Sequence, residues 1–160
     1  MPLHLEVARD GIVLHDDGTF AEFRGRVLMT GPQPEVFAQQ DLQNAGEMLR
    51  VAQLLVQHSE WRSAADRAYY AMFYAAHATL WGRVDRMPHT HNGVQSQFTR
   101  HLVRTGKLDS SLSVHLGNAW TLRLDATYKP AAEIQEGAVR ATVARAEAFV
   151  ARVRELLASV

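Results

Sequence analysis

Apolar residues in this chain return at intervals of three and four from Leu42 almost to its end. That period fits packed helices and little else, because 3.6 residues per turn place such positions on one face. Leu42, Ala45, Leu49, Ala52 and Val56 line a first helix that starts near Glu35 and runs to about His58. Ala64, Ala68, Met72 and Ala76 stack along a second, over roughly Trp61 to Trp81. A third begins near Asn92 and carries Val94, Phe98 and Leu102, with Gly106 as its stop. Asp109-Ser110-Ser111 caps a fourth, with Leu112, Leu116, Ala119 and Leu122 inward and Pro130 ending it. A fifth, from about Ala132 to Leu157, presents Val139, Val143, Ala146, Val150 and Val153. Short connections between such helices make sequential ones antiparallel neighbours. The expected fold is all-α, an up-and-down antiparallel bundle of about five helices.

The pattern differs before residue 31. Leu3-His-Leu-Glu-Val alternates, Asp10-Gly11 is a strong hairpin dipeptide, and Asp16-Asp17-Gly18 marks a second turn before Phe20, Phe23, Val27 and Leu28. Gly31-Pro32-Gln33-Pro34 then interrupts regular structure. We expect a short N-terminal β-meander arm over residues 1–31, followed by a helical domain over 35–160.

Composition narrows the chemistry. Of 160 residues, 47% are hydrophobic, enough for a sizeable core, and Lys+Arg and Asp+Glu number 17 each. A net charge of zero argues against retention on nucleic acid by bulk charge, while leaving room for a local basic patch. There is no cysteine, which excludes a disulfide framework, a thiol nucleophile and a Cys-ligated metal. No run approaches the length of a membrane span, and the first residues lack a secretory pattern. The expectation is a cytoplasmic protein that uses no cofactor and binds no membrane.

Three polar clusters remain. The second helix holds Arg67-Ala-Tyr69-Tyr70-Ala-Met-Phe73-Tyr74-Ala-Ala-His77. Helical spacing puts Arg67, Tyr70 and Tyr74 near one face with His77 a turn further on, a cationic head among phenols suited to phosphate or carboxylate. The same spacing also suits tyrosines that fill a core. Next, His89-x-His91 offers two imidazoles but no further ligands, so no metal is expected and His91 or Asn92 is read as a helix cap. This segment opens a basic stretch in which Arg100 and Arg104 lie at i,i+4. It is a candidate phosphate-binding face or a solvated one. Last comes Arg123-Leu-Asp125-Ala-Thr-Tyr128, where Asp125 sits at the negative end of a helix and is expected to face Arg67 across the bundle.

In this order the clusters resemble a HEPN domain, from about Asp41 to Leu157. The resemblance rests on Arg67-x-Tyr-Tyr-Ala-x-Phe73, His91-Asn-Gly-Val94, a following Phe, Arg104-Thr-Gly106, and Arg123 to Tyr128. It implies a helical bundle that is usually a homodimer. Many such proteins are metal-independent ribonucleases, often toxins encoded beside a nucleotidyltransferase-type antitoxin. Their chemistry lies on an Arg followed four to six residues later by His. There, His would move a proton at the ribose 2′-hydroxyl or leaving oxygen, and Arg would stabilise the phosphate. Here no His follows Arg123, and Tyr128 stands five positions on. A phenol is a poor proton acceptor at neutral pH. The reading is therefore a module that binds a nucleotide, RNA or a protein partner through Arg67, Tyr70, Arg123 and Tyr128. The alternative is a ribonuclease that uses Arg123 with a displaced His77 or His91.

Overall fold

A computed structural model of the chain describes residues 33–159. Among these residues there are five α-helices and no strand: α1 (Pro34–Gln57), α2 (Trp61–Ala78), α3 (His91–Phe98), α4 (Ser110–Tyr128) and α5 (Glu136–Ala158). A π-helical turn, Thr99–Val103, continues α3. The architecture is the expected all-α antiparallel bundle. The expected β arm over 1–31 lies outside the described residues.

α2 is the centre of the bundle, packing against α1, α3, α4 and α5. Its sequence explains how. Ala64, Ala65, Ala68, Ala71, Ala75, Ala76 and Ala78 are all fully buried, so neighbouring helices approach on methyl groups rather than long side chains. Bulk comes from Tyr69 and Met72 of α2 and from the partners. Phe98 of α3 stacks on Phe149 of α5 with centroids 5.4 Å apart, and Leu102, Leu116, Val139, Val150 and Val153 are sealed around them. The inward faces read from spacing are those that pack. Leu42, Val56 and Leu122 lie at the margin of the core rather than within it.

Helix ends follow local chemistry, with three departures from the sequence reading. Thr90, not His91 or Asn92, caps α3: its Oγ1 accepts from the Gly93 N–H at 3.0 Å, and His91 becomes the first helical residue. The reason is geometric, since the capping oxygen must stand one residue outside the turn to reach the N–H three ahead. The third helix is not uniform, because Arg104 N–H bonds back to the Thr99 carbonyl, five residues earlier. The fifth begins at Glu136 rather than near Ala132. Arg62 reaches across from α2 to donate to the carbonyls of Ala126, Lys129, Pro130 and Ala132, which holds this stretch as a turn. Asp109 caps α4 as expected, accepting from the Ser111 N–H at 2.8 Å, and the two Ser111 hydrogen bonds hold its carboxyl below the usual range. Gly106 takes φ +72°, the left-handed conformation that suits glycine at a helix end.

Candidate functional site

The site forms where α2 and α4 lie side by side and the first turn of α3 meets both. Arg123, on α4, is its fixed point. Its Nε donates to Asp66 Oδ1 at 3.1 Å, and its Nη2 donates to the Tyr70 hydroxyl at 3.4 Å. Its guanidinium carbon lies 5.3 Å from the Trp120 ring centroid, 5.5 Å from that of Tyr70 and 5.7 Å from that of Tyr128. Three aromatic faces around one cation are an attractive electrostatic arrangement. The side chain is only 12% exposed. Burial works against its charge, and the Asp66 hydrogen bond together with Tyr70, Asp66 and Tyr128 outweighs it, so the guanidinium holds its proton more firmly than usual.

Asp66 serves a second cation. The Arg67 Nε stands 3.6 Å from its other oxygen, so one carboxylate lies between two arginines from distant parts of the chain. Asp125 was expected in that role, facing Arg67, and does not fill it. It pairs with Lys129 one turn on, at 2.6 Å. Two residues along a helix is a rotation of about 200°, so Asp125 points away from the side on which Arg123 reaches α2. Lys129, at i+4, is the cation it can reach.

His91 joins the same cluster. Its ring stacks on Trp120 at 4.5 Å and 25°, and lies 4.9 Å from Phe73 and 6.0 Å from Tyr70. Trp120 and Tyr70 are thus shared by His91 and Arg123. His91 Nδ1 and the Tyr69 hydroxyl are 2.7 Å apart. Tyr69 is buried, and burial, reinforced by Tyr70 and opposed by Arg123, pushes its phenol far above the usual value. The hydroxyl therefore keeps its proton, and among the described residues His91 is its one hydrogen-bond partner. It must donate to Nδ1, since accepting there would leave a buried O–H unsatisfied. Burial first, and then Arg123, lower the His91 pKa below the ordinary histidine value. At neutral pH His91 is accordingly an uncharged imidazole whose proton sits on Nε2.

The remaining sequence candidates divide in two. Tyr74 extends the aromatic row, 6.1 Å from Tyr70, while Tyr128, 67% exposed, joins the cluster through Arg123. His77 is engaged elsewhere. Its Nδ1 lies 2.6 Å from Asp41 Oδ2 on α1, and the same oxygen accepts from Trp81 Nε1 at 2.7 Å. Arg100 and Arg104 stand apart from the Arg123 cluster, on a groove of their own. Among the described residues no group of three or more His, Asp or Glu is placed to hold a metal ion.

Sequence reasoning missed Asp66, Tyr69 and Trp120. A signal existed for two of them. Trp120 precedes Arg123 by three residues, the helical spacing that brings side chains together, and Asp66 is the lone acid beside the Arg67 motif. Nothing in one dimension marks Tyr69 as the partner of His91.

Comparison with known proteins bears on the family of this helical domain. The model of the HEPN domain matches residues 38–156. A UPF0332 protein of Thermotoga maritima is 31% identical over 113 residues, which span 71% of this chain and 85% of that protein. Two toxin-named proteins of Methanocaldococcus jannaschii are also similar. One is 31% identical over 71% of this chain and 83% of its own length, the other 25% identical over 74% and 80%. No helix among the described residues is long and apolar enough to cross a membrane. With the matched region reaching into all five helices and covering the whole Arg123 cluster, the chain belongs to the HEPN domain family.

Proposed function

We propose that this protein is a dimeric RNA-binding HEPN module of toxin–antitoxin or defence type, which holds RNA at the Arg123 cluster with little or no cleavage. The observation that carries this reading is the setting of Arg123: a guanidinium oriented by Asp66 and Tyr70 and flanked by three aromatic rings. A phosphate oxygen is the natural partner of such a cation. Exposed Tyr128, which like Tyr70 faces the Arg123 guanidinium, offers a face on which a base stacks. Binding without turnover is supported by His91. With Nδ1 occupied by Tyr69 and a proton on Nε2, it has no free lone pair to act as a base, and its lowered pKa leaves less of the imidazolium form that would serve as an acid. The toxin-named relatives support the toxin type, and a nucleotidyltransferase-type antitoxin as partner and a cytoplasmic location are part of the same proposal.

Fluorescence anisotropy with a labelled single-stranded RNA tests the reading. The parent is expected to bind, and Arg123→Gln to weaken binding at least tenfold; equal affinity in the two overturns it. The second reading, a ribonuclease acting through Arg123 and His91, draws on their shared contact with Trp120. Incubation with structured RNA in EDTA decides between them. Cleavage by the parent that His91→Ala abolishes replaces the binding module with an enzyme.

A further inference from the structure

α3 and the π turn carry a second polar surface that the Arg123 cluster does not use. Asn92, Gln95, Ser96, Thr99, Arg100 and Arg104 line an open groove of about 390 Å³. Both arginines are exposed, and neither pairs with a carboxylate among the described residues. Between Arg86 and Asp109 the sequence holds no acid at all. The groove therefore presents two unneutralised guanidinium groups beside hydroxyl and amide donors, in a chain of zero net charge.

The π turn accounts for the alignment. In an uninterrupted α-helix each step of four residues drifts about 40° around the axis, so Asn92, Ser96, Arg100 and Arg104 would spiral away from one line. The wider turn over Thr99–Val103, closed by the Arg104 N–H to Thr99 carbonyl bond at 2.9 Å, takes up residues without advancing the face as far. Arg104 is thereby brought back toward the line of Arg100 and Ser96. The turn is pinned from both sides: Thr99 Oγ1 bonds the Gln95 carbonyl and Ser113 Oγ of α4, each at 2.9 Å. Gly117 of α4 leaves the room that the Gln95 amide needs, since a Cβ there would stand 2.8 Å from its nitrogen.

We propose that this groove is a second phosphate subsite for the backbone of single-stranded RNA, reached by a strand whose neighbouring nucleotides occupy the Arg123 cluster. His91, on Trp120, and Asn92, in the groove, are adjacent residues, so the two surfaces adjoin at the first turn of α3. The proposal rests on the RNA-binding reading and adds the path of the strand.

The test is an anisotropy titration of the full chain with a labelled single-stranded RNA of twelve nucleotides and with a dinucleotide, across a salt series. The double variant Arg100→Ala/Arg104→Ala is expected to weaken twelve-nucleotide binding about tenfold. It should also flatten the dependence of log affinity on log salt by about 1.4, for two phosphate contacts at roughly 0.7 each. Dinucleotide binding should stay intact. Arg50→Ala/Arg145→Ala removes the same charge from exposed positions outside the groove and is expected to leave the slope unchanged. If Arg123→Gln abolishes binding while the groove variant matches the parent in affinity and slope, the groove proposal is wrong and the Arg123 reading stands. An equal loss in the control variant also overturns it, as bulk charge would then suffice. A parent that binds neither RNA removes both. Circular dichroism melts confirm that the surface variants are folded.

Discussion

Arg123 keeps its position through two of its three guanidinium nitrogens, and both contacts come from α2. Asp66 is the stronger of the two, being charged, short and shared with Arg67. Removing it should therefore disturb more than one residue. Asp66→Ala is expected to destabilise the fold by about 2 kcal/mol in urea denaturation, the range for losing a hydrogen bond between charged groups. RNA affinity should fall with it, because Arg123 loses its orientation. Asp66→Asn keeps the shape and one acceptor, and should recover most of the stability but less of the binding. Of this cluster, Arg123, Tyr70, Tyr128 and His91 were legible in the sequence, since each is a polar or aromatic residue at a recognisable spacing. Asp66 was not. A carboxylate next to Arg67 reads as a local neighbour, and only the approach of α4 makes it the counterion of a residue 57 positions away.

At the scale of elements, one side chain fixes the end of α4. Arg62 gathers carbonyls from Ala126 to Ala132, satisfying groups that a helix end leaves unpaired. Tyr128 and Lys129 lie within that stretch. Arg62→Ala is expected to speed amide hydrogen exchange over residues 126–133 and lower the melting temperature by several degrees, with exchange in α5 unaltered beyond its first turn. Arg62→Lys should not rescue it, since a single ammonium lacks the fork needed to serve several carbonyls. Terminators such as Asp109, Gly106 and Pro130 were readable because their chemistry is local. The early start expected for the fifth helix failed at Ala132, whose carbonyl is taken by a residue 70 positions back. The π turn was equally hidden. Val94, Phe98 and Leu102 keep an even spacing through it, and the bond that pins it comes from Ser113 on another helix.

For the whole molecule, His91 links the site to stability. Its pKa is depressed in the folded state, so between the ordinary histidine value and the lowered one the unfolded chain binds a proton that the native chain refuses. Stability is complete above the ordinary value and declines as pH falls through that window. Melting temperatures measured from neutral to mildly acidic pH should drop accordingly, and His91→Gln should flatten part of the slope. The bundle itself was the most legible feature, since periodicity over five segments needs no knowledge of tertiary contacts. The assembly of its faces was less so: α2 is central because alanine lets four neighbours close on it, a property of the ensemble of helices rather than of any one. That methyl-lined axis has an evolutionary corollary. With no slack to absorb a larger side chain, the alanine face of α2 is barred from drifting, and any change in ligand preference among descendants of this chain must be written on its outward residues, such as Arg67, Tyr70 and Tyr74, or on α3 and α4.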